Sequence, residues 1–272
     1  MNQRGRIKMI LSTVQLTTSV NKDENLRKIQ QYIEKAKTAN SDIVIFPEAS
    51  MFFSPPEESR EVLYKKAEDL NGPWLTQIKK TAKENEINVI LGIYEKSDNK
   101  KVYLTAVLID KEGEIKYAYR KTHLYDAFNF MESERIEPGK DYYTPITINE
   151  FNIGILLCYE LRFPEIARTY ALKGADLLIV PAAWVKGYLK EDHLLTLAKA
   201  RALENTSYLA LSSQIGNIFT GYSMIIDPLG IPISRSTEKE GIITAEIDKE
   251  RIKEVRATLP VLYQRREDLY FR

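Results

Sequence analysis

Ile155-Leu156-Leu157-Cys158-Tyr159-Glu160-Leu161-Arg162-Phe163-Pro164-Glu165 contains the one cysteine among 272 residues. The apolar run 153–157 predicts a buried strand, and Arg162-Phe163-Pro164 predicts the start of a helix. Strand, turn and helix in that order mark an α/β unit. A thiol at the C-terminal edge of such a strand is held by rigid backbone, near a positive helix end that favours thiolate. Placed so, it can act as a nucleophile. The competing reading is a packing residue, because free cysteine is among the most buried residue types.

Two further strand ends bear on that choice. Ile43-Val44-Ile45-Phe46-Pro47-Glu48 is an apolar run closed by a proline that cannot extend the ladder. Glu48 stands just past it, where open α/β sheets place ligands. Partial desolvation there would raise its pKa and fit it to carry a proton near neutral pH. A solvated loop acid is the alternative. The strand beginning near Ile115 runs into Tyr119-Arg120-Lys121-Thr122-His123-Leu124, whose lysine taken alone is a surface residue.

Taken together and in this order, Phe-Pro-Glu, Arg-Lys-x-His-Leu and Cys-Tyr-Glu-Leu-Arg-Phe-Pro-Glu resemble the signature of the nitrilase superfamily, the carbon–nitrogen hydrolases. Val14-Gln15-Leu16, Arg201-Ala202-Leu203-Glu204-Asn205 and Asp227-Pro228-Leu229-Gly230 extend the resemblance along nearly the whole chain. The tail from Leu259-Pro260 through Arg265-Arg266-Glu267-Asp268-Leu269-Tyr270 looks like the ending of the omega-amidase-like and related amidase branches. A Phe-x-Glu segment ahead of a Pro-Gly turn is matched by Phe130-Met131-Glu132 before Pro138-Gly139, which singles out Glu132 over its neighbours Glu134 and Glu137. One departure is Glu160, where the family often has Asp.

The resemblance implies a four-layer α-β-β-α sandwich of two mixed sheets, with dimers or larger homo-oligomers joined through helices. It also implies a chemistry. Cys158 attacks an amide carbonyl and forms a thioester, and ammonia departs. Glu48 moves the protons, Lys121 stabilises the oxyanion with a backbone N–H after Cys158, and Glu132 positions Lys121 or the substrate amine. No metal or organic cofactor is called for. A small aliphatic amide, an N-carbamoyl amino acid and a nitrile all pass through related intermediates, so the substrate stays open. Arg162 is a candidate for binding a substrate carboxylate, against a structural pairing with Glu160 or Glu165. Tyr159 and Trp184, in Pro181-Ala182-Ala183-Trp184, are candidate pocket walls, against ordinary core packing. Phe52 and Phe53 carry the same ambiguity.

Rival classes fit less well. A papain-like hydrolase needs a histidine base, and His123 and His193 both lack the expected flanks. A redox sensor wants a resolving thiol. A non-catalytic scaffold on the same fold would not need every catalytic position filled.

Composition sets the outer limits. A formal net charge of +1 gives no footprint for nucleic acid or anionic membrane. A single cysteine cannot form an intrachain disulfide. The basic start Met1-Asn2-Gln3-Arg4-Gly5-Arg6 is followed by Met9-Ile10-Leu11, too short a run for a signal segment because Ser12 and Thr13 interrupt it. The expectation is a cytoplasmic enzyme, one domain over 1–272, acting on a small molecule. Strands are expected near 7–16, 42–46, 87–95, 102–110, 114–120, 143–148, 151–158, 176–181, 207–214, 221–227 and 241–247. Helices are expected near 23–39, 57–67, 73–85, 163–173 and 191–205. The polar loop 122–141 is long enough to suggest function, and no internal repeat is visible.

Overall fold

Alternating apolar residues on each strand decide the layering. The computed structural model describes residues 7–270, so the basic start 1–6 lies outside the described residues. Twelve strands form two six-stranded sheets. The first holds β1 (Lys8–Gln15), β2 (Ile43–Ile45), β3 (Asn88–Lys96), β4 (Val102–Ile109) and β5 (Ile115–Arg120). The second holds β6 (Ile146–Ile148), β7 (Phe151–Ile155), β8 (Leu177–Ala182), β9 (Tyr208–Ser213), β10 (Met224–Ile226) and β11 (Pro232–Arg235). A last strand, β12 (Gly241–Asp248), returns to pair antiparallel with β1.

Ile43 and Ile45 point into a core shared with Ile153, Ile155 and Ile179 of the other sheet. Val44, between them, points the other way, against Ile29 and Ile33 of α1 (Lys22–Thr38) and Ile78 of α3 (Pro73–Glu84), the short α2 (Arg60–Lys66) preceding α3 in sequence. The second sheet repeats the scheme. Leu178 and Val180 face Ile166 and Tyr170 of α4 (Pro164–Leu172) and Leu194 and Ala198 of α5 (Lys190–Asn205). Three apolar layers therefore separate helix, sheet, sheet and helix, which is the expected four-layer sandwich. Each fully buried isoleucine contributes roughly 2 kcal/mol.

The two sheets share one topology. β1, β2 and β3 run parallel, then β4 and β5 turn back antiparallel. β7, β8 and β9 run parallel, then β10 and β11 turn back antiparallel. An antiparallel edge strand flanks each set, β12 beside β1 and β6 beside β7. The repeat is one of backbone order. The sheets are stitched at their C-terminal ends, where Ser212 donates to the carbonyls of Val14 (2.7 Å) and Ile45 (3.0 Å).

Some boundaries differ from the sequence reading. β7 stops at Ile155, and Cys158–Arg162 forms a 3-10 turn rather than the end of a strand. β11 and the helix α6 (Lys249–Thr258) were not foreseen. The 122–141 loop carries a small ribbon, Asp126–Ala127 against Phe130–Met131, and a 3-10 turn at Glu132–Glu134. Among the described residues, no helix is long and apolar enough to cross a membrane.

Candidate active site

Each candidate residue stands just beyond a strand, at the end of the sandwich where the parallel strands finish. Past β2, Pro47 closes the ladder and Ala49 adopts a left-handed φ of 53°. That turn lies directly against β3, where a Cβ on Gly92 would meet Glu48 Cα at 2.7 Å. Gln214 clamps it from the second sheet, donating to the carbonyls of Glu48 (2.7 Å) and Ala49 (3.2 Å). Glu48 is thereby held buried.

Lys121 directly follows β5 and is 1% exposed. Its Nζ lies 2.9 Å from Glu48 Oε1 and 3.0 Å from Glu132 Oε1. Glu132 is oriented by the ribbon before it, since the Tyr125 N–H donates to its other oxygen at 2.6 Å. Cys158 opens its 3-10 turn with a left-handed φ of 46°, a conformation that costs a non-glycine residue of order 1 kcal/mol. Its buried thiol shares the site with Glu48 and lies within reach of that residue's charge. The Ala183 N–H, past β8, donates to Glu48 Oε2 at 3.1 Å. A cavity of about 710 Å³ opens over Glu48, Lys121, Glu132 and Cys158, walled by Phe53 and Phe219.

The electrostatics follow from burial. Desolvation raises Glu48 above the carboxylate range, with Lys121 pulling it down and Glu132 pushing it up. Burial alone would lower Lys121, but the charges of Glu132 and Glu48 outweigh it and hold the ammonium well above the ordinary lysine value. Burial, then the charge of Glu48, pushes the Cys158 thiol up despite Lys121. This corrects the expectation of a thiolate favoured by a helix end: α4 begins only at Pro164, and the low dielectric with a neighbouring carboxylate wins. Both Glu48 and Cys158 are thus biased toward their protonated forms by burial.

Glu160 does not pair with Arg162. Fully buried, it accepts hydrogen bonds from the N–H groups of Leu157 (2.7 Å), Thr122 (2.7 Å) and His123 (3.2 Å). The hydroxyls of Thr122 (2.7 Å) and Tyr119 (2.8 Å) also donate to it. One carboxylate thus ties the turn of Cys158 to the loop of Lys121. Burial works to raise its pKa, but the bonds from His123, Leu157 and Thr122 hold it below the carboxylate value of 4.5. A depressed folded-state pKa contributes stability above the unfolded value that is lost as pH falls through the folded one. Glu160→Gln, with one acceptor oxygen for two sets of donors, should cost about 2–4 kcal/mol at neutral pH. Below about pH 4.5 its deficit relative to wild type should shrink. Denaturant melts at several pH values check this, and a deficit that stays constant down to pH 3 counts against it.

Arg162 stacks over Trp184 (4.9 Å) and Tyr159 (5.8 Å), and these three line a recess beside Cys158. Phe53 walls the large cavity, whereas Phe52 is core, packed against Tyr94. Sequence reasoning missed Gln214, the Ala183 N–H and Lys190, a buried cation in the same recess. Only the apolar flanks of Lys190, Tyr188-Leu189 and Leu194-Leu195, hinted that it is covered. Among the described residues, no cluster of three or more His, Cys, Asp or Glu is placed to hold a metal ion.

The family model described as carbon–nitrogen hydrolase matches residues 10–257. The chain is similar to a deaminated glutathione amidase of Escherichia coli O157:H7, 38% identical over 85% of this chain and 88% of the relative. It is 34% identical to a 2-oxoglutaramate amidase of Bacillus subtilis, over 97% of this chain and 100% of that one. A crystal structure of a carbon–nitrogen hydrolase from Helicobacter pylori superposes with a TM-score of 0.89 at 25% identity, covering 97% of each chain.

Proposed function

We propose that this chain, which belongs to the carbon–nitrogen hydrolase family and is an amidase-type enzyme, cleaves its substrate through a thioester on Cys158. One observation carries the reading: a single buried ammonium, Lys121, bridges Glu48 and Glu132 on the wall of a cavity that the lone thiol also lines. Glu48 takes the thiol proton as sulfur attacks the amide carbonyl. Two of the three Lys121 donors are held by carboxylates, and the third is left for the developing oxyanion, helped by the N–H following Cys158. Glu48 returns its proton to the departing amine, which is ammonia for a primary amide. Water then attacks the thioester, Glu48 accepts its proton, and the acid leaves with the thiol restored. Glu132 fixes Lys121 in place.

Arg162 faces the acyl portion, and the preferred substrate carries a carboxylate there, with Tyr159 and Trp184 as walls. The names of the two curated relatives denote amides of carboxylate-bearing molecules, which supports this choice. The whole chain acts as one domain, as a homodimer or larger homo-oligomer in the cytoplasm, with no nucleic-acid or membrane partner.

The reaction is tested by amine release across a panel of amide, carbamoyl and nitrile compounds, with mass spectrometry of the quenched enzyme. A single acyl adduct on Cys158 is expected. Within the panel, a small amide with a distal carboxylate should exceed its uncharged analogue in kcat/KM by about tenfold or more. Arg162→Ala should raise KM for the acidic amide. Equal kcat/KM for the two in wild type removes Arg162 from substrate recognition.

A further inference from the structure

Lys190 begins α5 and is 5% exposed, yet among the described residues no carboxylate pairs with it. One donor is used, on the Tyr125 hydroxyl at 2.8 Å. Ring faces surround it, Phe128 at 3.8 Å, Tyr125 at 5.0 Å and Trp184 at 5.9 Å. Arg162 shares the recess, and among the described residues it too has no ion pair; it reaches His193 Nδ1 at 3.5 Å, and its buried Nε has no hydrogen-bond partner. Burial, then the charge of Arg162, pulls Lys190 below its ordinary pKa. Two cations crowded together without a counter-charge are costly in a dry setting, and each keeps a donor unspent. The recess is small, about 20 Å³, somewhat more than one water needs. Cys158 and Ala183 line both it and the large cavity, so it opens at the nucleophile.

We propose that Lys190 and Arg162 jointly form an anion subsite that takes the carboxylate of the acyl group, making Lys190 a specificity-determining residue. The counter-charge absent from the protein is supplied by the substrate. The narrow recess admits one small anionic group and leaves the large cavity to the amine side of the bond. The aromatic faces around Lys190 hold the ammonium without neutralising it, so its charge remains available to the ligand. This rests on the amidase reading for the identity of the ligand, but binding can be read without turnover.

The test uses full-length Cys158→Ala protein and glutarate, a five-carbon dicarboxylate, followed by calorimetry. Adding Lys190→Met should weaken glutarate binding at least about tenfold, the scale of one charge-assisted contact in a closed site. Lys190→Arg should restore most of the loss. Butyramide, which lacks the carboxylate, serves as the control. Equal weakening of butyramide and glutarate would assign Lys190 to wall packing, and unchanged glutarate affinity would remove it from recognition; either overturns the subsite. Failure of the wild-type enzyme to release amine from any panel amide would overturn the amidase reading instead, leaving the glutarate result to stand or fall alone.

Discussion

Lys121→Met should lower kcat by at least about a thousandfold. Methionine keeps the volume and removes the charge, so the change isolates electrostatics. Three effects act together. The oxyanion loses its cationic donor, worth about 2.7–4 kcal/mol where such donors have been deleted. Glu48 and Glu132 then face each other across a buried gap with nothing between them, and like-charge repulsion raises the pKa of one or both. A Glu48 that stays protonated at neutral pH cannot accept the thiol proton. The third effect is structural: breaking a buried ion network by removing one partner costs about 3–5 kcal/mol of stability. Steady-state kinetics with a thermal melt separates the effects, and the acid limb of kcat should move upward in pH. A variant keeping more than about a tenth of wild-type kcat, a loss of only ~1.4 kcal/mol, would show Lys121 to be structural.

Cys158→Ala should abolish turnover, by about five orders of magnitude or more, because it removes the thiol placed beside Glu48 and Lys121 to form the acyl intermediate. It is the one thiol of the chain, so the adduct expected on quenching wild type should vanish altogether. Stability should change by no more than about 1 kcal/mol: a small side chain is lost, and alanine tolerates the φ of 46° about as poorly as cysteine. Persistent hydrolysis in purified variant, free of contaminating enzyme, would end the covalent mechanism.

The layering was legible because strand residues such as Ile43, Val44 and Ile45 must serve two different cores, and an unbroken apolar run reports that. The position past β2 was legible because Pro47, with no N–H to give, follows an unbroken apolar run. The pairing of β12 with β1 was not, since no local pattern says which edge a distant strand will join. The polarity of the Cys158 environment was misread from sequence because proximity to a helix was judged along the chain, whereas burial and Glu48 are set by tertiary contacts. Lys190 escaped notice for a related reason. In sequence it heads Lys-Glu-Asp, which reads as a solvated helix start, and only folding brings aromatic rings over it. Glu160 looked like a conservative variation, yet its five donors come from two separate segments.

The stitched seam between the two sheets has a consequence for how the protein comes alive. Glu48, Lys121 and Glu132 arrive with the first sheet; Cys158, the Ala183 N–H and Gln214 arrive with the second. The bonds that join them close long stretches of chain, 166 positions for Gln214 to Glu48 and 135 for Ala183 to Glu48. Contacts of such separation form late, after the entropy of closing large loops has been met. Neither sheet carries both the thiol and its carboxylate partner, so activity belongs to the docked pair alone. A newly made chain is thus chemically silent until its two halves meet, and its thiol gains its partners only when the fold around it is finished.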